Sequence, residues 1–219
     1  MKYRTFDRMI IVKSAEFARE KMKSLRSSHG WDHVQRVMML AEKISAREKA
    51  DPFIVEVAAA LHDIARVEEE RSGGKICHAA RGAVIAGKFL GSLGLDPERT
   101  ARVVHCVASH RYRNSIKPET IEAKALFDAD KLDSIGAIGI GRAFLFSGEV
   151  GARLHNPDID VRSTRAYSEE DTAYREYIVK LRHLRKGMLT GEGRRLAKGR
   201  HDFMKGFFTQ LQAETKGRR

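Results

Sequence analysis

Leu61-His62-Asp63 sets the terms on which this chain can fold. A histidine and an aspartate stand side by side inside the apolar run 54–65, Ile-Val-Glu-Val-Ala-Ala-Ala-Leu-His-Asp-Ile-Ala. Burial of either polar side chain is costly unless a partner or a metal compensates. Apolar positions 54, 57, 58, 61, 64 and 65 recur with the period of a helix. Adjacent helical positions diverge by roughly 100°, yet a long imidazole and a short carboxylate can converge on one ion from that spacing. The pair alone leaves two readings open: a hydrogen-bonded core histidine beside a capping acid, or half of a metal site.

The surroundings are helical throughout. Residues 3–25 carry apolar positions at 6, 9, 10, 17, 22 and 25 among charges, which predicts an amphipathic helix on the outside of a core. Positions 34, 37, 38, 41 and 44 continue the helical pattern after Ser27-Ser28-His29-Gly30, with His33 one turn ahead of Val37. Asp51-Pro52 and Asp96-Pro97 are helix starts, an acid at the cap and proline in the first turn. The first predicts a helix running through His62-Asp63, the second one reaching about His110. Further helices are expected from about Cys77 to Leu93, from Pro118 through Asp133, across the glycine-spaced stretch 136–144, and over about 168–187 and 190–214. Residues 148–165 read as irregular, and no stretch alternates with period two for long enough to be a strand.

With 219 residues, the chain can bury one sizeable core. No apolar run approaches the roughly 18–20 residues of a membrane span, and the first residues lack a signal-peptide core. The two cysteines, Cys77 and Cys106, lie outside any metal-type spacing; together these features favour a cytoplasmic protein with reduced thiols and no membrane partner. A net charge of +12 favours anionic partners, either phosphorylated small molecules or nucleic acid. Residues 180–219 concentrate it, with twelve Lys/Arg against three acids, although a basic helical surface also serves simply to stay hydrated.

The count of histidines and carboxylates shifts the balance toward a metal. His33, His62, Asp63 and Asp130 all fall in expected helices with apolar neighbours. Two imidazoles and two carboxylates suit a divalent ion of the first transition row, and they leave coordination positions for water and a phosphate oxygen. Such an ion lowers the pKa of bound water and withdraws charge from a phosphoryl group.

His33…His62-Asp63…Asp130 resembles the HD superfamily of metal-dependent phosphohydrolases. The segments His29-Gly30-Trp31-Asp32-His33, Leu61-His62-Asp63-Ile64, Ala108-Ser109-His110 and Asp128-Ala129-Asp130-Lys131-Leu132-Asp133 through Arg142 are similar to its small nucleotide pyrophosphohydrolase-type members. The resemblance covers nearly the whole chain from about residue 27. It implies an all-α fold, an HD-domain helical bundle with a C-terminal two-helix extension. The chain would then be a single domain over 1–219, with a metal-binding core at about 27–147 and the extension at about 165–216. It implies His33, His62, Asp63 and Asp130 as ligands of one divalent ion, manganese foremost, with magnesium, cobalt, iron, nickel and zinc as alternatives.

The resemblance also implies the activity: hydrolysis of a nucleotide, a nucleoside triphosphate giving monophosphate and pyrophosphate. A phosphomonoesterase is the alternative within the class. A nucleic-acid-binding module with a vestigial HD site is the alternative outside it. His29, Arg36, His78, His110, Lys131 and Arg142 are the candidate substrate-binding residues, and Arg111 and Arg113 could close over the pocket. In two-metal members, histidines at positions such as His78, His105 and His110 take a second ion; His105 and His110 do not share a helix face. Asp63 or Asp133 is the candidate for orienting water, Glu68 or Asp133 for general base, and Lys131 or a protonated His78 or His110 for stabilising the leaving group. The sequence leaves oligomeric state open.

Overall fold

The computed structural model describes residues 3–25, 30–111, 116–156 and 159–218. The described residues are helical, with no strand among them, and no helix is long and apolar enough to cross a membrane. They gather into two compact units, Met1–Asp130 and Lys131–Arg219.

The first unit is built around α3 (Pro52–Leu61), in which eight of ten residues are buried. A helix apolar on every side belongs in the centre of a core. Asp51 starts it as expected, its carboxylate accepting from the backbone N–H groups of Phe53 and Ile54. Packed on α3 are α1 (Thr5–Lys21), α2 (Trp31–Glu48) and α6 (Pro97–Ser109), and α6 pairs in turn with α5 (His78–Ser92). The short α4 (Arg66–Arg71) leads from α3 to α5, and α7 (Ile121–Leu132) carries the chain out of the unit.

Two boundaries differ from the expected ones. The helix predicted to run through His62-Asp63 stops at Leu61, and His62–Ala65 form a turn before α4. That stop lets adjacent side chains share one interior. Helix α7 begins three residues after Pro118, where Thr120 Oγ1 accepts from the Ala123 N–H.

In the second unit α8 (Gly136–Glu149) packs against α10 (Gly191–Glu214) and against α9 (Ala173–Val179). The single helix expected over 168–187 is instead α9 followed by a 3-10 segment, Leu181–Gly187. Thr172 caps α9 through the Arg175 N–H, and Lys180, at φ −136° and ψ −61°, breaks the helical path. The irregular stretch before it is pinned: Asn156 Nδ2 donates to the Glu170 carbonyl, and Thr172 Oγ1 bonds Asn156 Oδ1. Gly136 opens α8 at φ +80°, and Arg200 of α10 bonds the Leu132 carbonyl beside it.

Candidate metal centre

Six side chains converge inside the first unit, and the backbone fixes how two of their rings are turned. Nδ1 of His62 lies 2.7 Å from the Ala59 carbonyl, and Nδ1 of His110 lies 2.7 Å from the Val107 carbonyl. A carbonyl only accepts, so each Nδ1 carries the proton and each neutral ring presents a lone pair at Nε2. His78 is turned the same way, its Nδ1 donating to Glu69 Oε2 at 2.7 Å. All three rings are buried.

The inner nitrogens stand close together in two pairs. His62 Nε2 is 3.3 Å from His33 Nε2, and His78 Nε2 is 3.1 Å from His110 Nε2. Between the two pairs stands Asp63, also buried. Its Oδ2 lies 3.6 Å from Nε2 of both His33 and His62, while Oδ1 lies 3.3 Å from His78 Nε2 and 3.5 Å from His110 Nε2. Asp130 completes the first set, with Oδ1 3.5 Å from His33 Nε2. Two groups of donor atoms result, His33–His62–Asp130 and Asp63–His78–His110, the Asp63 carboxylate reaching toward both.

The donor set fits a divalent cation. Asp63 Oδ1 is buried and accepts no hydrogen bond, although two imidazole nitrogens stand within 3.5 Å of it. Lone pair facing lone pair is repulsive unless a positive charge lies between. Ligand atoms at right angles about an ion with bonds of about 2.1 Å are separated by about 3 Å, close to the spacings here.

The electrostatics agree. Burial pushes the His62 ring down to about 4 against an ordinary 6.5, so it is neutral and able to coordinate near pH 7. His78 is likewise lowered to about 4, chiefly by burial. Burial alone would raise the Asp63 carboxyl. Arg66 and the adjacent histidines outweigh that effect and hold it well below the usual carboxylate range.

The predicted metal set, His33, His62, Asp63 and Asp130, is therefore brought together. His78 and His110 join Asp63 in a second group of donor atoms. Other expected residues are engaged elsewhere. Glu68, expected to face the pocket as general base, accepts from Arg81 Nε at 2.6 Å on an accessible face of α4. Adjacent helical residues point about 100° apart, and it is Glu69 that faces inward. In the second unit, Asp133 is buried and accepts from Arg142 Nη1 at 2.9 Å, so this acid and this arginine, expected as base and phosphate ligand, are committed to each other. Arg36 donates to Asp32 at 2.6 Å. His105 accepts from the Glu119 N–H. Lys131 is half-buried at the first position of the second unit. His29 and Arg113 lie outside the described residues.

Two residues were not anticipated. Arg66 Nε donates to Asp63 Oδ2 at 3.1 Å, and Arg66 Nη1 donates to Glu69 Oε2 at 3.0 Å. Positions 63, 66 and 69 are each three apart, the spacing that would have disclosed them.

An all-helical core that closes histidines and carboxylates around one ionised aspartate defines a metal-dependent hydrolase of phosphate compounds. The chain matches the HD domain family over residues 30–135, and it belongs to that family of metal-dependent phosphohydrolases. Among its relatives, Bacillus subtilis YpgQ is 38% identical over 215 residues, 94% of this chain and 96% of that protein. The crystal structure of YpgQ in complex with ADP superposes with a TM-score of 0.75 at 30% identity, covering 96% of this chain and 97% of that one. An HD-superfamily hydrolase from Bacillus thuringiensis gives a TM-score of 0.76 at 29% identity over 96% and 98% of the two chains.

Proposed function

We propose that this protein hydrolyses nucleoside triphosphates to monophosphate and pyrophosphate, using a divalent ion, manganese foremost, held by His33, His62, Asp63 and Asp130. The observation that carries the reading is the meeting of these four side chains, from three separate stretches of sequence, with their donor atoms 3.3–3.6 Å apart. The ADP bound to YpgQ supports a nucleotide as the phosphorylated substrate, and the net charge of +12 suits a polyanionic one.

When bound, the ion lowers the pKa of water and draws charge from a phosphoryl oxygen. The chain's own groups do the remaining work. His62 stays neutral, its ring held in orientation by the Ala59 carbonyl. Asp63, ionised and held by Arg66, accepts a hydrogen bond that orients the attacking water. Oxygen of that water bonds to the α-phosphorus and its proton passes to solvent, while the bond from the α-phosphorus to the bridging oxygen breaks and pyrophosphate leaves with the bonding electron pair. Arg66 stays engaged with Asp63 and Glu69 and keeps the Asp63 carboxylate in place.

A second reading has its own support. Asp63 Oδ1, aimed at His78 and His110, favours a second ion in the adjoining group. Metal content per chain at saturation separates one ion from two.

The deciding experiment incubates purified protein with manganese, cobalt or magnesium and a panel of nucleotides, with products resolved by chromatography. Pyrophosphate and monophosphate are expected, and His62→Ala should yield neither. Inorganic phosphate as the first product would replace the reading with a phosphomonoesterase. No turnover of any nucleotide would end it.

A further inference from the structure

Glu69 joins three elements around the candidate metal centre, yet it lies outside both donor groups. Its Oε2 accepts from His78 Nδ1 at 2.7 Å and from Arg66 Nη1 at 3.0 Å, and its Oε1 accepts from Arg111 Nη1 at 2.8 Å. Each of the first two contacts continues to Asp63. His78 Nε2 stands 3.3 Å from Asp63 Oδ1, and Arg66 Nε donates to Asp63 Oδ2 at 3.1 Å. Asp63, Arg66, Glu69 and His78 thus form a polar ring, hydrogen-bonded at every junction except His78 to Asp63, that holds Asp63 Oδ2 in place and aims the His78 ring at Asp63 Oδ1. The ring is buried or nearly so.

We propose that Glu69 is a positioning residue for cation binding, acting through His78 and Arg66 on Asp63. A carboxylate on the outer nitrogen of an imidazole fixes the tautomer and makes the inner nitrogen a better donor to a metal. Glu69 supplies that carboxylate to His78. The same carboxylate holds the Arg66 guanidinium, whose planar fork spans Glu69 and Asp63 and fixes the rotation of the Asp63 carboxylate. Arg111, following directly after His110, makes the third contact and ties the end of α6 to this arrangement. Removal of the Glu69 charge would free the His78 ring to turn and leave Arg66 bound to Asp63 alone, where it competes with a cation for the same oxygen.

This inference rests on the proposed metal site, and the test separates the two. Metal-stripped wild-type protein, Glu69→Gln and Arg66→Lys are titrated with Mn²⁺ by calorimetry, and kcat and KM are measured on the nucleotide that the wild type hydrolyses. Glutamine keeps one acceptor for His78 but not the charge; lysine keeps the charge but cannot span both carboxylates. Both variants should melt cooperatively, bind Mn²⁺ about 10–100-fold more weakly, and lose kcat with KM little changed. A folded Glu69→Gln with wild-type Mn²⁺ affinity overturns the inference while leaving the metal site intact. So does a variant whose only change is a lower melting temperature. If Glu69→Gln does not fold, Arg66→Lys decides alone, and wild-type affinity there overturns the inference equally. A wild-type protein that binds no Mn²⁺ ends both readings.

Discussion

Nε2 of His78 and Nε2 of His110 face each other at 3.1 Å, and each ring donates its Nδ1–H in a hydrogen bond to a carboxylate or a carbonyl. Two lone pairs at that distance hold repulsion that a cation relieves, so metal should stabilise the fold as well as enable catalysis. Mn²⁺ at about 100 times its dissociation constant should add about 2.7 kcal/mol of stability. Thermal melts before and after dialysis against a chelator measure the effect. Asp63→Asn, which removes the carboxylate between the two groups, should abolish the shift; an undiminished shift in that variant would place the ion elsewhere.

Acid should weaken the metal-free fold in a defined window. His62 and His78 are each held at about 4 in the folded protein, against 6.5 in an unfolded chain. Between those values the unfolded chain takes up protons that the folded rings refuse. Stability therefore falls as pH drops from about 6.5 to 4, and these two rings add nothing further below that. Asp63, held below its ordinary 3.8, extends the loss to lower pH, because its contribution is present above that value and disappears as the folded carboxyl protonates. Urea melts stepped from pH 7 to pH 4 should show a steady decline, and His78→Gln should flatten it. A profile flat to pH 4.5 would contradict the burial that holds these rings neutral.

Arg142 should matter for stability. Its partner Asp133 has 1% side-chain exposure, and Arg142 itself has 13%. Arg142→Ala leaves a buried carboxylate without that cation and should cost about 3 kcal/mol in urea denaturation. The double change Arg142→Met with Asp133→Leu removes both charges and should cost less than the single one.

The glycines of α8 divide by what surrounds them. A Cβ on Gly139 would sit 2.3 Å from the Ser134 carbonyl oxygen, whereas one on Gly141 meets nothing within 4 Å. Gly139→Ala should destabilise by about 1–3 kcal/mol through overpacking. Gly141→Ala should stabilise by about 0.5–1 kcal/mol through helix propensity. Melting temperatures moving in the same direction would contradict the close approach at Gly139.

Much of this organisation was legible in the residues because helices announce themselves by period and punctuation. Asp51-Pro52 and Asp96-Pro97 begin helices where their chemistry requires it. The four histidine and aspartate positions were readable because polar side chains in apolar helical contexts need a reason to be there. What escaped was orientation over short distances. Glu68 and Glu69 are adjacent and identical in type, and only the end of α3 at Leu61 sets the phase of α4 that turns Glu69 inward. The pairing of Asp133 with Arg142 was hidden for a related reason: the turn at Ser134–Ile135 and the start of α8 bring residues nine apart into contact. The span 168–187 misled because its composition suits a helix, while Thr172, bonded to Asn156, caps α9 late and Lys180 leaves the helical path at φ −136°.

Helix α3 is encased on all sides, and the Ala59 carbonyl that orients His62 belongs to it. Amides in so enclosed a segment trade hydrogen with solvent only when the whole unit comes apart. The aim of the His62 ring is consequently tied to backbone that should be among the slowest in this protein to exchange.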